Sequence, residues 1–348
     1  MKFSKIPLAI SIILIFTFSL SGCVNNPSTQ PRPTSTDIVE TISLETSTPP
    51  QPAATETIES SKNIFILLTN SDLYFPDQTV LTQLTSTLTE LGYEVLSAGE
   101  TPDTGQSFSH VLLFGPTQET ISHFQSDNFE RLLIVQESAE LSIRKPTTIL
   151  KMRIADRLFI ASYLSAILSN DWRVGGLLPA IEYQNTSAEK IFQNGVEFMC
   201  GRCSPTFGPI VNFPVTTTLS SPEDNEGTLQ AFSEISPNKI NILYIPSAYL
   251  FDDLVILLHQ SGITIVSDSV PGQDRSDWID YAIVDDLSNL ILESISESEQ
   301  NEDLQIVPIS YSVEAITAEL SPGKNNFITL MINDLQKGFI SPYQAPAE

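Results

Sequence analysis

The chain has 348 residues, with 17 Lys plus Arg against 42 Asp plus Glu and a formal net charge of -25. So acidic a balance excludes nucleic acid as a partner, because affinity for phosphate backbones rests on clustered Lys and Arg. It also sets the body against an anionic membrane surface, and the length asks for more than one small core.

Lys2 and Lys5 open an almost wholly apolar run from Ile6 to Leu20, closed by Ser21, Gly22 and Cys23. A charged start, a short apolar stretch and a small-residue junction form the layout of an export signal. The run falls short of the roughly 20 apolar residues that a spanning helix needs. Leu20-Ser21-Gly22-Cys23 resembles the bacterial lipobox. The resemblance implies removal of residues 1–22 as a lipoprotein signal peptide and acylation of Cys23, with palmitate among the chains. It places the mature protein on the extracytoplasmic face of the cell membrane. The alternative is an ordinary secretory signal followed by a chance cysteine. From Val24 to Lys62 the chain is dominated by Ser, Thr, Pro, Glu and Gln. Such a segment buries too little apolar surface to offset its chain entropy, which predicts a disordered linker over 23–62.

The body begins with a strand over Asn63–Thr69, rich in β-formers. Apolar residues at Val80, Leu81, Leu84, Leu88 and Leu91 share one helical face, and Gly92 stops that helix. Strands follow at Tyr93–Ala98, His110–Gly115 and Leu132–Gln136. Ile154–Leu168 reads as a helix whose small residues permit close packing. The pattern then repeats: a strand from Trp172 to Leu178, a helix from Ser187 to Met199, and a candidate strand at Ile210–Val215. A clear strand at Ile240–Ile245, a helix at Leu250–Gln260 and a strand at Ile263–Ser267 complete it. Continuous apolar strands alternating with helices predict parallel sheets covered on both faces. The expected organisation is lobe 1 over 63–170 and lobe 2 over 171–280, each with about four strands, sharing 281–348 between them.

Three stretches carry a family resemblance. They are Asp156–Leu168 leading into Trp172-Arg173-Val174-Gly175-Gly176, then Phe192–Phe198, then Ile263–Ser269. With the closing Leu335–Ile340, they are similar to the basic membrane protein family of substrate-binding lipoproteins, which has the type I periplasmic-binding-protein fold. The resemblance implies two doubly wound parallel-sheet lobes that close on a small, often nucleoside-like, molecule and deliver it to an ABC transporter permease. A ligand-sensing or structural envelope lipoprotein of the same fold is the alternative function.

Parallel sheets bind ligands beyond their strand C-termini. Asn70, Ser71 and Asp72 follow the first strand, Phe114 ends the third and Glu137 follows the fourth. Ser247 follows the Ile240 strand and Asp268 the last, while Tyr183 and Tyr249 lie in loops after strands. Asp268 reads equally as a carboxylate for ligand hydroxyls or as a turn cap. Asp72 reads as a helix cap or a ligand contact, and Phe114 as a stacking face or a core ring.

Cys200-Gly201-Arg202-Cys203 lacks the further ligands a zinc site needs, since the three histidines, His110, His123 and His259, lie far away in sequence. In an exported chain the pair reads as a small disulfide, with reduced thiols or a redox role as the alternatives. The histidines read as one strand-edge and two helix-surface residues. Asp285 and Asp286 read as charge at a helix start. The acid-rich tract Glu297–Asp303 reads as a solvated loop. No motif for hydrolysis, phosphate cradling or metal binding is present, so no enzyme activity, cofactor or metal is expected.

Overall fold

Apolar runs bounded by turn residues alternate with helical periodicity from Asn63 onward, and each becomes a layer of an α/β body. The computed structural model describes residues 62–68, 78–99, 101, 107–124, 129–136, 147–201, 203–206, 211–296 and 304–344. All of them belong to one compact unit, Ile58–Glu348. The chain runs β1 (Asn63–Leu68), α1 (Gln78–Glu90), β2 (Glu94–Ala98), β3 (Phe108–Phe114), α2 (Gln118–His123), β4 (Phe129–Gln136) and β5 (Thr147–Lys151). It continues with α3 (Ile154–Leu168), β6 (Val174–Pro179), β7 (Glu182–Tyr183), β8 (Thr186–Ser187), α4 (Ala188–Cys200), β9 (Val215–Leu219) and α5 (Asn225–Ile235). It closes with β10 (Ile242–Tyr244), α6 (Asp252–Gln260), β11 (Thr264–Ser267), β12 (Tyr281–Asp285), α7 (Leu287–Ser296), β13 (Gln305–Pro308), β14 (Tyr311–Ala315) and α8 (Pro322–Gln336).

The first sheet has the order β13-β5-β4-β3-β1-β2, with every neighbouring pair parallel. A parallel sheet is covered on both faces, so its central strands must be apolar at successive positions. All seven residues of β3 are buried. Alternate side chains feed two layers. Ile64, Ile66, Leu112, Leu133 and Leu150 meet Leu84 and Leu88 of α1 and Ile291 and Ile295 of α7. Phe65, Leu67, Val111, Leu113 and Ile134 meet Ile121 of α2 and Phe124. His110 sits in this sheet between β1 and β4 and is 4 % exposed, so it is a core residue and not a strand-edge one. His123 and His259 lie exposed on α2 and α6.

The second sheet has the order β14-β12-β11-β10-β6-β9 and is parallel except for β14, which runs against β12. Helix α3 is buried from Ala155 to Ile167 apart from Arg157, which fits its nearly all-apolar sequence. It packs against α4 and α8 and into the core shared with β6 to β12. The contact with α4 needs a residue without a side chain. A Cβ on Gly195 would lie 2.6 Å from the carbonyl oxygen of Phe159 and would overlap Ser162 Oγ.

Three segments cross between the lobes. The first runs from β5 to α3, the second from β12 to α7, and the third from β13 to β14. They are stitched side by side: Ile309 N donates to Lys151 O at 3.0 Å, Asp286 N to Ser310 O at 3.2 Å, and Ser310 N to Asp286 Oδ1 at 2.8 Å. All three leave the C-terminal ends of their strands, so the C-terminal edges of the two sheets face one another.

Two outcomes test this packing. Gly195→Ala overpacks the α3–α4 contact and lowers stability by about 1–3 kcal/mol, read as a reduced denaturant midpoint at unchanged slope. The second concerns His110, whose pKa burial lowers to about 4, with Glu130 opposing and Arg131 adding to the effect. Free imidazole titrates near 6.5, so between those values the unfolded chain binds a proton that the fold refuses. Stability therefore falls as pH drops from about 6.5 to about 4, by at most about 3 kcal/mol. His110→Gln removes that part of the slope in urea titrations across the same range.

Candidate functional site

The C-terminal edge of the second sheet gathers polar groups that the apolar strands beneath it hold in place. Tyr244 ends β10, Asp268 follows β11, and Asp285 ends β12. Tyr311 opens β14 and lies opposite Asp285 because these two strands are antiparallel. Arg157 enters from the first turn of α3, where it is the only basic residue. It forms an ion pair with Asp285, the two side chains being 18 % and 21 % exposed. Its guanidinium carbon also lies 5.6 Å from the centre of the Tyr311 ring. Tyr311 in turn donates its hydroxyl to the carbonyl of Arg153 at 3.2 Å.

Electrostatics tie these groups together. Burial pulls the Arg157 pKa down, but Tyr311, Asp285, Asp268 and Tyr244 outweigh it and raise the value overall, so the guanidinium stays charged. Burial raises the Tyr244 pKa well above the ordinary phenol value, with Asp268 and Tyr183 adding to the rise and Arg157 opposing it. Burial likewise raises Tyr311. Both tyrosines are therefore neutral beside a cation and two carboxylates; both are buried, and the Tyr311 hydroxyl already donates to Arg153 O. Such a set can hydrogen-bond a polar ligand through both donors and acceptors.

The sequence-predicted residues fall in several places. Asp268 and Ser247 meet: Asp268 Oδ1 accepts from Ser247 N at 2.8 Å, and the hydroxyls of Ser247 and Ser269 are 2.6 Å apart. One oxygen of Asp268 thus caps the short turn Ser247–Tyr249, while the side chain remains partly exposed and coupled to Arg157. Tyr183 and Tyr249 are 5 % and 8 % exposed within the second-lobe core, Tyr183 close enough to Tyr244 to influence its titration. Phe114 is 2 % exposed in the first-lobe core. Cys23, Asn70, Ser71, Asp72 and Glu137, like the tract 297–303, lie outside the described residues. Cys200 and Cys203 are joined to each other at the end of α4, with Cα atoms 5.5 Å apart. That helix starts from the C-terminal edge of the sheet and runs away from it, so the bridge lies at the far end from the site.

Sequence reasoning missed Arg157, Tyr244 and Tyr311 as site groups. It read Asp285 only as charge at a helix start. That role holds, since Asp285 Oδ1 accepts from Leu287 N at 3.2 Å, but Oδ2 serves Arg157. The available signal was a lone cation in an otherwise apolar helix. At the corresponding edge of the first sheet, a cavity of about 400 Å³ lies under the first half of α1, between Leu68, Ser97, Thr82 and Thr85. Among the described residues no three His, Cys, Asp or Glu are placed to hold a metal ion, and no helix is long and apolar enough to cross a membrane.

Two doubly wound, mainly parallel lobes joined by three crossings define the type I periplasmic-binding-protein fold. No family model and no curated protein sequence matches this chain. Solved structures do. One is a transcriptional activator of the comK gene from Bacillus halodurans, with TM-score 0.54, 13% identity, and coverage of 82% of this chain and 99% of that one. Another is an ABC transporter solute-binding protein from Conexibacter woesei, with TM-score 0.54, 12% identity, and coverage of 81% of this chain and 99% of that one. At these identities the likeness is one of fold.

The Arg157–Asp285 pair predicts strong coupling. Arg157→Met and Asp285→Asn each cost about 2–4 kcal/mol, because each strands a partly buried charge or its partner. The double variant costs less than their sum, and a double-mutant cycle on urea midpoints returns an interaction of about 1–3 kcal/mol.

Proposed function

We propose that this protein is an extracytoplasmic solute-binding lipoprotein, a divergent member of the basic membrane protein family, that captures a small molecule between its lobes for an ABC transporter. In this reading Cys23 carries the lipid anchor and the segment up to residue 62 is the tether. The observation that carries the reading is the cluster of Arg157, Asp285, Asp268, Tyr244 and Tyr311. It stands on the edge of one lobe that faces the other, at the point where all three crossings meet. The donor and acceptor set suits a polyhydroxylated ligand, of which the ribose of a nucleoside is one case. The rings of Phe114, Tyr183 and Tyr249 are buried, so they offer little face for stacking a base.

A second reading, a ligand-sensing envelope lipoprotein without transport, rests on a different observation. Arg157 is already paired with Asp285, and Asp268 already caps Ser247, within the chain; of the Arg157 nitrogens, the buried Nε has no hydrogen-bond partner. The Bacillus halodurans protein of similar fold is a transcriptional activator of the comK gene. Both readings are of a binding protein and not of an enzyme.

A thermal-shift screen with sugars, nucleosides and amino acids tests the binding function. A ligand at 100 times its Kd adds about 2.7 kcal/mol to apparent stability. The shift is lost in Arg157→Met and Asp268→Asn and kept in Phe114→Leu. A panel that moves nothing, or a shift that survives both site substitutions, counts against the cleft. For the anchor, Cys23→Ser moves the protein from the membrane fraction to the soluble fraction and abolishes incorporation of labelled palmitate.

A further inference from the structure

The first lobe holds a charged group that the cleft does not use. Arg131, the third residue of β4, is 3 % exposed. Its Nη2 donates to Thr148 Oγ1 at 3.2 Å and reaches Gln305 Oε1 at 3.5 Å. Its Nε and Nη1 have no hydrogen-bond partner. Arg153, Arg157 and Arg173 each pair with a carboxylate, namely Asp156, Asp285 and Asp171. Among the described residues no carboxylate pairs with Arg131. A buried cation without a counter-charge costs several kcal/mol, so the fold has a strong reason to recruit an anion here.

His110 stands directly opposite Arg131 on the neighbouring strand, and in a parallel sheet such a pair shares one face. Its tautomer follows from its neighbours. Ser109 Oγ donates its one proton to Asn63 O at 2.8 Å. It must therefore accept from His110 Nδ1, 3.1 Å away. The proton of the neutral ring is then on Nδ1, and Nε2 is a bare acceptor. Nε2 is buried and has no partner either. Side by side, the sheet thus presents unspent guanidinium donors and an unspent imidazole acceptor. A species that satisfies both must offer an accepting oxygen and a hydroxyl proton of its own, and only an anionic one also supplies the counter-charge that Arg131 lacks.

We propose that Arg131 and His110 form a binding site in the first lobe for a protonated oxyanion of the hydrogen-phosphate type. The anionic oxygens accept from Arg131 and the acid hydroxyl donates to His110 Nε2. Sulfate, which has no such hydroxyl at neutral pH, satisfies only the first half. The site is separate from the proposed cleft and independent of the ligand bound there.

The test uses the full chain, with inorganic phosphate and sulfate compared at matched ionic strength. Wild type shows a saturable rise in Tm with phosphate, larger than with sulfate, and equilibrium dialysis with labelled phosphate returns one site per chain. Arg131→Met loses the saturable response, and His110→Phe erases the preference for phosphate over sulfate. An equal, unsaturating rise with both salts in wild type and Arg131→Met is a general salt effect and overturns the proposal. Loss of phosphate binding in Arg157→Met, with Arg131→Met still binding, places the anion in the cleft and also overturns it. Should Arg131→Met fail to fold, the dialysis on wild type and His110→Phe decides the question: no bound phosphate, or no difference between the two, ends it.

Discussion

One guanidinium gathers, on the edge of the second lobe, the points where the three crossings reach it. Arg157 follows the first crossing by a single helical turn. It pairs with Asp285, where the second crossing departs, and lies over Tyr311, where the third arrives. Three segments distant in sequence are thereby referred to one charge. Removing an ion pair from water is costly, and the arrangement persists because Tyr311, Asp285, Asp268 and Tyr244 all favour the charged form. The same groups make up the candidate site, so whatever engages Arg157 also acts on the joint between the lobes.

The packing beneath this joint is stiff on the side of the second lobe. Helix α3 is apolar almost all round and is clamped between the sheet and its neighbours α4 and α8. Gly195 lets α4 approach to a distance at which one added methyl group has no room. Arg153 adds a tie of its own, donating to Leu335 O at 3.2 Å and so fastening the end of α8 beside the crossings. A site built on such elements keeps its geometry, whereas one built on loops must be ordered by its ligand.

Much of the layer pattern was legible in the sequence, because β1, β3, β10 and β11 are continuous apolar runs and α1, α3, α4 and α6 carry helical spacing or length. What the runs hid has physical reasons. Thr147 and Thr148 open β5 fully buried, yet read as polar. Strand β9 was expected at Ile210–Val215, but its paired residues are Val215–Leu219, three of them threonines. Strands β13 and β14 close the sheets by pairing with β5 and β12, and Gln305 meets Thr148 from far along the chain, so local periodicity gives no hint of six strands per sheet. The two lobes came from length and the repeating strand–helix pattern, whereas the type I arrangement came from the resemblance. At the site, Asp268 and Ser247 were visible as residues beyond strand ends. The Arg157–Asp285 pair spans 128 positions and leaves only a lone arginine in an apolar helix as its trace.

The triple connection has a mechanical consequence. A lone linker would act as a ball joint, free to bend and to twist. Here three short links lie abreast, and the bonds from Ile309 to Lys151 and from Asp286 to Ser310 lace them into a ribbon. Torsion about the long axis would shear those bonds, whereas flexing across the ribbon leaves them intact. Bending across the ribbon is therefore the motion these bonds resist least, like covers on a book spine.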